Sequence, residues 1–437
     1  MWEALEILSE KYVTALFSDL KRLKEQIMME STEWDTIVVG GGASGLAAAV
    51  TAARMGEKTL LIEKQDRLGR KLLATGNGRC NLMHLGDLRY YGEAGFARQV
   101  ISRCGAMQQR HFWQELGLHL RTVDGVLVYP ATFQASSVLD ALRFGIERYG
   151  VQVKLQCPVT DLVPGKDRIS VLTGKEPITG KRCILAAGGC AGPRLGGSEF
   201  SNTVLQRLGF ITERPFPALT PLETDHLSIS GLSGLRIFAS LRFENGKGRC
   251  LHTEKGEVLF TDYGVSGICV MQCARFLSGD ACELSLNLLL PLGLSDDQLA
   301  QEFEERAVRF RDMTPDMLLK GMLPAKMSYA VCKQAGIPMR GETLKDLKSS
   351  QRRLIIRRAA DYRLKITGTR GFDQAQVTAG GVLCSQFFPE TLASRKCPVL
   401  HVTGEALNVD GDCGGYNLMF AFASGILAGL NGRENPF

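Results

Sequence analysis

Asp35-Thr36-Ile37-Val38-Val39-Gly40-Gly41-Gly42-Ala43-Ser44-Gly45 sets a G-x-G-x-x-G pattern between a β-branched run and an alanine-rich stretch. Glu63 ends a second apolar run, Thr59-Leu60-Leu61-Ile62. This order predicts strand, glycine turn, helix, strand and terminal acid, the arrangement of a dinucleotide site. Gly40 allows the tight turn, Gly42 lets a pyrophosphate approach the backbone, and Gly45 lets the helix pack closely on the strand. Free N–H groups at the helix start, around Ala43 and Ser44, favour phosphate oxygens, as does the positive end of the helix dipole. Glu63, followed by Lys64, sits where a carboxylate accepts from ribose hydroxyls and repels a 2′-phosphate. A purely structural glycine turn would not need this context. These residues alone do not separate FAD from NAD.

A second stretch, Gly69-Arg70-Lys71-Leu72-Leu73-Ala74-Thr75-Gly76-Asn77-Gly78-Arg79-Cys80-Asn81, is dense in glycine, cations and amides. Gly76 and Gly78 allow close backbone approach, and the N–H groups around Asn77 can face an anion. Arg70, Lys71 and Arg79 are candidate counter-charges, with Asn81 closing the loop. The bland reading is a solvated basic loop; its place directly after the ribose-binding acid favours cofactor contact. Toward the C-terminus, Gly404-Glu405 follows the apolar run Val399–Val402. Gly411, Gly414 and Gly415 then open a helix predicted over Leu418–Leu430, with Tyr416 and Asn417 at its entrance. The N-terminus of that helix can stabilise negative charge, or the glycines can serve capping alone.

These segments must be positioned by a sizeable fold. The chain has 437 residues, enough for two or three domains, and its 45% hydrophobic and 22% charged residues predict a soluble globular protein. No apolar run reaches a membrane span, and Glu3, Glu6 and Glu10 argue against a signal peptide. Thirteen cysteines without C-x-x-C pairs predict reduced thiols, a cytoplasmic protein and no structural metal. The net charge, 52 − 46 = +6, is compatible with a polyanionic partner without requiring one. Six histidines form no Ser-His or His-Asp arrangement, which argues against a hydrolase and assigns the chemistry to a cofactor.

Residues 2–30 carry Leu5, Leu8, Tyr12, Leu16, Leu20, Leu23 and Ile27 at helical spacing. This amphipathic helix packs on its own protein or pairs with a second subunit in a homo-oligomer. Helices are predicted over 97–120 and Ser137–Tyr149, a hairpin over Leu120–Tyr129 around Asp124-Gly125, and strands at Val151–Leu155 and Arg182–Ala187. The texture from 192 to 293 is β-rich, that of 295–340 helical, and that of 344–370 strand-like; 371–437 reads as strand, glycine turn, strand and helix. The expected division is therefore an N-terminal helix over 1–33, a discontinuous α/β Rossmann-like domain over 34–191 and 371–437, a β-rich substrate domain over 192–293 and 344–370, and a helical lid over 294–343. Gln351-Arg352-Arg353-Leu354-Ile355-Ile356-Arg357-Arg358 has four arginines that can meet phosphates, or a solvated face over a buried Leu-Ile-Ile stripe.

Four blocks together resemble the BaiN/YhiN-like (aminoacetone-oxidase-like) flavoproteins. They are Gly69–Asn81; Gly256–Thr261 with Gly264–Gly267; Val377–Val382; and Gly404–Asn417. The resemblance runs in order from about residue 34 to the end, while the helix at 2–30 precedes the usual start of the family. It implies FAD, a glutathione-reductase-type Rossmann-like domain, an inserted β-rich domain and a small helical domain. It also implies that Val159, after Pro158, meets the adenine through its backbone. Ala187 and Gly188 would end a strand near the dinucleotide, and Glu405 would meet the ribityl or phosphate region. Activities in the family range from oxidation of small amino ketones through reduction of steroid-type bile-acid intermediates to reduction of a ribosomal-RNA uridine. The leading expectation is reduction of a C=C next to a carbonyl, in a ribosomal-RNA uridine. The alternatives are a small-molecule oxidase or ene-reductase, and a flavin-bearing RNA-binding protein without turnover. Tyr416, Cys80 and Cys413 are the candidate proton donors. No second G-x-G-x-x-G follows a strand, so NAD(P)H would act as a transient reductant without its own Rossmann unit. The expected partner is a small molecule or ribosomal RNA, with no membrane.

Overall fold

The computed structural model describes residues 34–277 and 281–434; the helix read over 2–30 lies outside them. The glycine fingerprint folds as β1 (Trp34–Val39), α1 (Ala43–Arg54) and β2 (Thr59–Ile62). A short helix, α2 (Arg70–Ala74), opens the basic loop. Two small strands, β3 (Met83–His84) and β4 (Tyr90–Gly92), precede α3 (Ala94–Arg103) and α4 (Ala106–Glu115). The single helix expected over 97–120 is thus two, because the chain is extended at Gly105, which caps α4. The hairpin is β5 (Leu120–Val123) and β6 (Leu127–Pro130), turning at Asp124-Gly125 with φ of 50° and 73°, as Asp-Gly turns do. Then follow α5 (Ala135–Arg148), β7 (Gln152–Lys154), β8 (Val159–Pro164), β9 (Ile169–Thr173) and β10 (Ile178–Leu185). The chain leaves this lobe through α6 (Phe200–Arg207) and β11 (Thr212–Ala218).

The second lobe is a barrel. Its strands are β12 (Leu222–Thr224), β13 (Arg236–Asn245), β14 (Cys250–Phe260), β15 (Gly264–Ser266) and β16 (Cys282–Asn287). Three helices follow, α7 (Asp296–Arg309), α8 (Ala325–Gln334) and α9 (Ser349–Ala360), and then β17 (Tyr362–Thr369) closes the ring in the order β12-β15-β14-β13-β16-β17. Leu241, Phe243, Val258, Phe260, Leu284 and Leu364 belong to its core. The strand-like reading of 344–370 holds for β17 but not for Ser349–Ala360, which is α9. The Lys348 N–H donates to Gln351 Oε1 at 2.8 Å and starts the helix. Arg, Leu and Ala favour that state over the pull of two isoleucines. Ile355 and Ala359, four residues apart, bury one face.

The chain then returns to the first lobe as β18 (Val377–Val382), β19 (Leu400–Val402), β20 (Val409–Gly411) and α10 (Tyr416–Leu430). The main sheet runs β7-β2-β1-β10-β9-β8, with β19 parallel to the C-terminal half of β10. Ile37, Val38 and Val39 are buried on both faces, which is why β1 reads as a continuous β-branched run. α10 lies close on α1; a Cβ on Gly425 would stand 2.2 Å from the Ser44 carbonyl oxygen. The two lobes have separate cores, with Ala218, Leu219, Val377 and Ala379 forming a small cluster where β11 pairs with β18. Among the described residues, no helix is long and apolar enough to cross a membrane.

Candidate cofactor and redox site

The ends of β1 and β2 meet where the Gly40 N–H donates to the Ile62 carbonyl at 2.8 Å. A Cβ on Gly40 would stand 2.5 Å from the Ala186 carbonyl oxygen, and one on Gly45 would stand 1.9 Å from that of Gly40. Around Gly42 the space is open, with no atom within 4 Å of a Cβ built there. That opening lies at the start of α1, beside Ala43 and Ser44. Glu63 is pre-oriented: Oε2 accepts from the Gly41 N–H at 2.7 Å and Oε1 from the Gln65 N–H at 2.8 Å. Each oxygen keeps a lone pair for a ribose hydroxyl. The Cys157 N–H donates to the Glu63 carbonyl at 3.0 Å, which brings the entrance to β8, at Val159, beside the same acid.

The basic loop divides in its tasks. Arg70 donates to Gln65 Oε1 at 2.5 Å and to the Arg194 carbonyl at 3.3 Å, so its guanidinium is engaged by its own protein. Lys64 donates to Ser198 Oγ at 3.1 Å, and burial pulls its ammonium below the ordinary lysine value. Lys71 reaches Glu405, at 2.8 Å to Oε2 and 3.1 Å to Oε1. Glu405 Oε1 also accepts from Thr378 N and Oγ1, at 3.0 and 2.7 Å, and Thr378 Oγ1 accepts from the Ala191 N–H at 2.9 Å. One carboxylate thus ties the basic loop to β18, and through Thr378 to the turn after Ala187 and Gly188. Gly76, Asn77 and Arg79 are exposed, with Gly78 half-buried between them. Gly76 and Asn77 are both left-handed, at φ of 56° and 53°. Asn81 is buried, and among the described residues its Oδ1 has no hydrogen-bond partner.

At the other end of the site, Gly411, Gly414 and Gly415 carry the chain into α10. Asn417 locks that turn: Oδ1 accepts from the Gly411 N–H and Nδ2 donates to the Gly411 carbonyl, each at 2.8 Å. Tyr416 is buried and stacks on His84 at 4.3 Å between ring centroids. Burial raises its hydroxyl above the ordinary phenol value, against the pull of Arg89. His84 Nδ1 accepts from the Gly86 N–H at 3.0 Å, and burial and Arg89 hold the ring below the ordinary histidine value, so it is neutral at pH 7 with its proton on Nε2. Cys80 has no exposed surface, and burial pushes its thiol up to about 12. It packs in the core of the first lobe, as Tyr416 does. Cys413 is half-buried against the small cluster between the lobes, with its thiol raised by burial.

Thr378 and His84 are site residues that the sequence reading did not select. Thr378 lies inside the block Val377–Val382, so a signal was present. His84 carries none, because a lone histidine has no motif. Among the described residues, no group of His, Cys, Asp and Glu could hold a metal ion. The opening at Gly42, the oriented Glu63 and the unpartnered Asn81 Oδ1 together fit a dinucleotide.

Comparison with known proteins agrees with this geometry. The family described as "HI0933-like protein Rossmann domain" matches residues 34–431. The 3-dehydro-bile acid delta(4,6)-reductase of Clostridium scindens is 33% identical over 91% of this chain and 99% of its own. The ribosomal RNA dihydrouridine synthase of Escherichia coli is 27% identical over 90% of this chain and 96% of its own. That of Haemophilus influenzae is 25% identical over 91% and 98%.

Proposed function

The chain belongs to the HI0933-like family and is an FAD-dependent oxidoreductase, and from that premise we propose that it saturates a C=C next to a carbonyl, with a ribosomal-RNA uridine as the leading substrate. Gly42, Ala43, Glu63, Lys71, Glu405 and the turn Gly411–Gly415 would hold the FAD. Bound FAD, recharged by a transiently bound NAD(P)H, would supply the hydride to one carbon of the double bond. The observation that carries the reading is Tyr416, whose hydroxyl is held protonated at the entrance to α10. It would give its proton to the other carbon and regain one from solvent. His84, stacked on Tyr416, fixes the ring.

α8 and α9 pack together and bear on the substrate class. Arg353 and Arg357 are exposed on α9, whereas Arg352 donates to the Leu347 carbonyl at 2.7 Å and Arg358 is half-buried. Only two of the four arginines are thus offered fully to solvent. On α8, Lys326, Tyr329 and Lys333 are exposed along one stripe, with Tyr329 49% exposed. Cations flanking an aromatic ring suit a phosphate backbone with a stacked base. Replacing Lys326, Lys333, Arg353 and Arg357 together by Gln should flatten the salt dependence of RNA binding by a log–log slope of roughly 0.7–0.9 per lost contact. Flavin content should be unchanged. A second reading, a small enone of steroid type, rests on the 33% identity to the bile-acid reductase; under it the same variant keeps full activity. Mass spectrometry of ribosomal RNA treated with the protein and NADPH tests the leading reading. A uridine gaining two hydrogens supports it, and reduction of a steroid enone with untouched RNA replaces it by the second. The RNA reading places the protein in the cytoplasm.

A further inference from the structure

Arg275 lies at the end of the barrel segment Gln272–Phe276, yet its partners lie in the other lobe. Its guanidinium pairs with Asp410 on β20 and covers the ring of Tyr91, on β4, at 3.7 Å to the centroid. β4 and β20 are themselves paired, Tyr91 opposite Asp410. The Tyr91 hydroxyl donates to Asp412 Oδ1 at 2.8 Å, and Arg89 stands 3.7 Å from Asp412 Oδ2. Phe276, next to Arg275, meets Tyr91 edge-on at 6.0 Å and stacks on His252 of β14 at 4.9 Å. The Arg275, Asp410 and Asp412 side chains are only 12%, 2% and 6% exposed. Burial draws the guanidinium down to about 10, so it is charged at neutral pH. Among the described residues, Asp410 Oδ1 has no hydrogen-bond partner, and its carboxylate pairs with Arg275.

We propose that Arg275 is a clasp that seats the barrel lobe on the turn Asp410–Tyr416, a positioning residue for the seam between the lobes rather than a cofactor ligand. A buried guanidinium with one carboxylate and one ring face has few equivalent placements, so it fixes the register of the barrel more sharply than apolar contact would. The same turn carries the glycines that open α10 and places Tyr416. Holding it from the barrel side ties the proton donor to the seated state. The inference rests on the flavin reading above; failure of that reading would show as wild-type protein that takes up no FAD.

The test compares FAD-loaded wild type with R275M, D410L and the double variant R275M/D410L. Hydrogen exchange is read at residues 90–92, 272–276 and 409–411, with iodide quenching of the flavin as a measure of solvent access. In both single variants, exchange in these segments should accelerate at least tenfold and quenching should rise. Exchange at 36–39 should stay within about threefold of wild type, since the clasp touches no residue of β1. The double variant, which buries no unpaired charge, should regain the wild-type melting temperature while keeping fast exchange and easy quenching. Recovery of slow exchange together with the melting temperature would overturn the proposal, because the pair would then be packing alone. Unchanged exchange in R275M would overturn it as well.

Discussion

Glu63→Ala should raise the Kd for FAD by at least ten- to a hundredfold. A charge-assisted hydrogen bond to the ribose contributes about 1.5–3 kcal/mol, and each 1.4 kcal/mol is a factor of about ten. The same carboxylate also orients the backbone: it holds the N–H groups of Gly41, inside the fingerprint, and of Gln65, beyond β2. Alanine removes the ribose acceptor and loosens both segments, so the effect should lie at or above the upper end of that range. Glu63→Gln separates the contributions. It keeps one acceptor oxygen but loses the charge, and should fall between wild type and alanine. Titration of apoprotein with FAD, followed by flavin fluorescence, reads the constants directly. Equal affinity in wild type and Glu63→Ala would show that Glu63 does not meet the ribose.

Arg182→Ala should be the most destabilising single change considered, at about 2–5 kcal/mol, since two buried carbonyls lose their donor at about 1–3 kcal/mol each. The Arg182 side chain is 7% exposed on β10. It donates to the carbonyls of Ala428 and Gly429 at 2.6 and 3.1 Å and to Glu57 Oε2 at 2.7 Å. It therefore caps the last carbonyls of α10, which a helix end otherwise leaves unsatisfied. Glu57 also accepts from Thr36 and pairs with Arg433, so the alanine variant leaves a half-buried carboxylate short of one of its two cations. Because α10 lies on α1 through Gly425, loosening its C-terminal end should also weaken FAD retention near the melting temperature. Urea unfolding followed by tryptophan fluorescence measures the loss. A change below about 1 kcal/mol, within the range of an ordinary surface site, would contradict the capping role.

What the sequence made legible was local. Gly40, Gly42, Gly45 and Glu63 act through backbone geometry within one βαβ unit, so their types and spacing carry the structure with them. The hairpin at Asp124-Gly125 was readable for the same reason, since two adjacent residues set the turn. Lys71 and Glu405 could each be picked from its own loop, but their contact spans 334 positions and no local pattern encodes it. The Arg275–Asp410 pair spans 135 positions and joins two lobes, so neither residue had a motif to announce it. α9 was misread because Leu354-Ile355-Ile356 has the composition of a buried strand. The deciding signals were the Gln351 cap and the burial of Ile355 with Ala359 at helical spacing. Cys80 was chosen for its place in a glycine-rich loop. Sequence position could not show that the left-handed turn at this residue, with φ of 56°, turns it into the core.

The account stands on FAD held by the first lobe, and the direct measurement is to denature the purified protein and identify what it releases. The predicted result is a yellow protein that frees about one FAD per chain without proteolysis, since the contacts proposed for Gly40–Gly45, Glu63, Lys71 and Glu405 are all non-covalent. Release of NAD, or of no nucleotide after reconstitution with FAD, would contradict it.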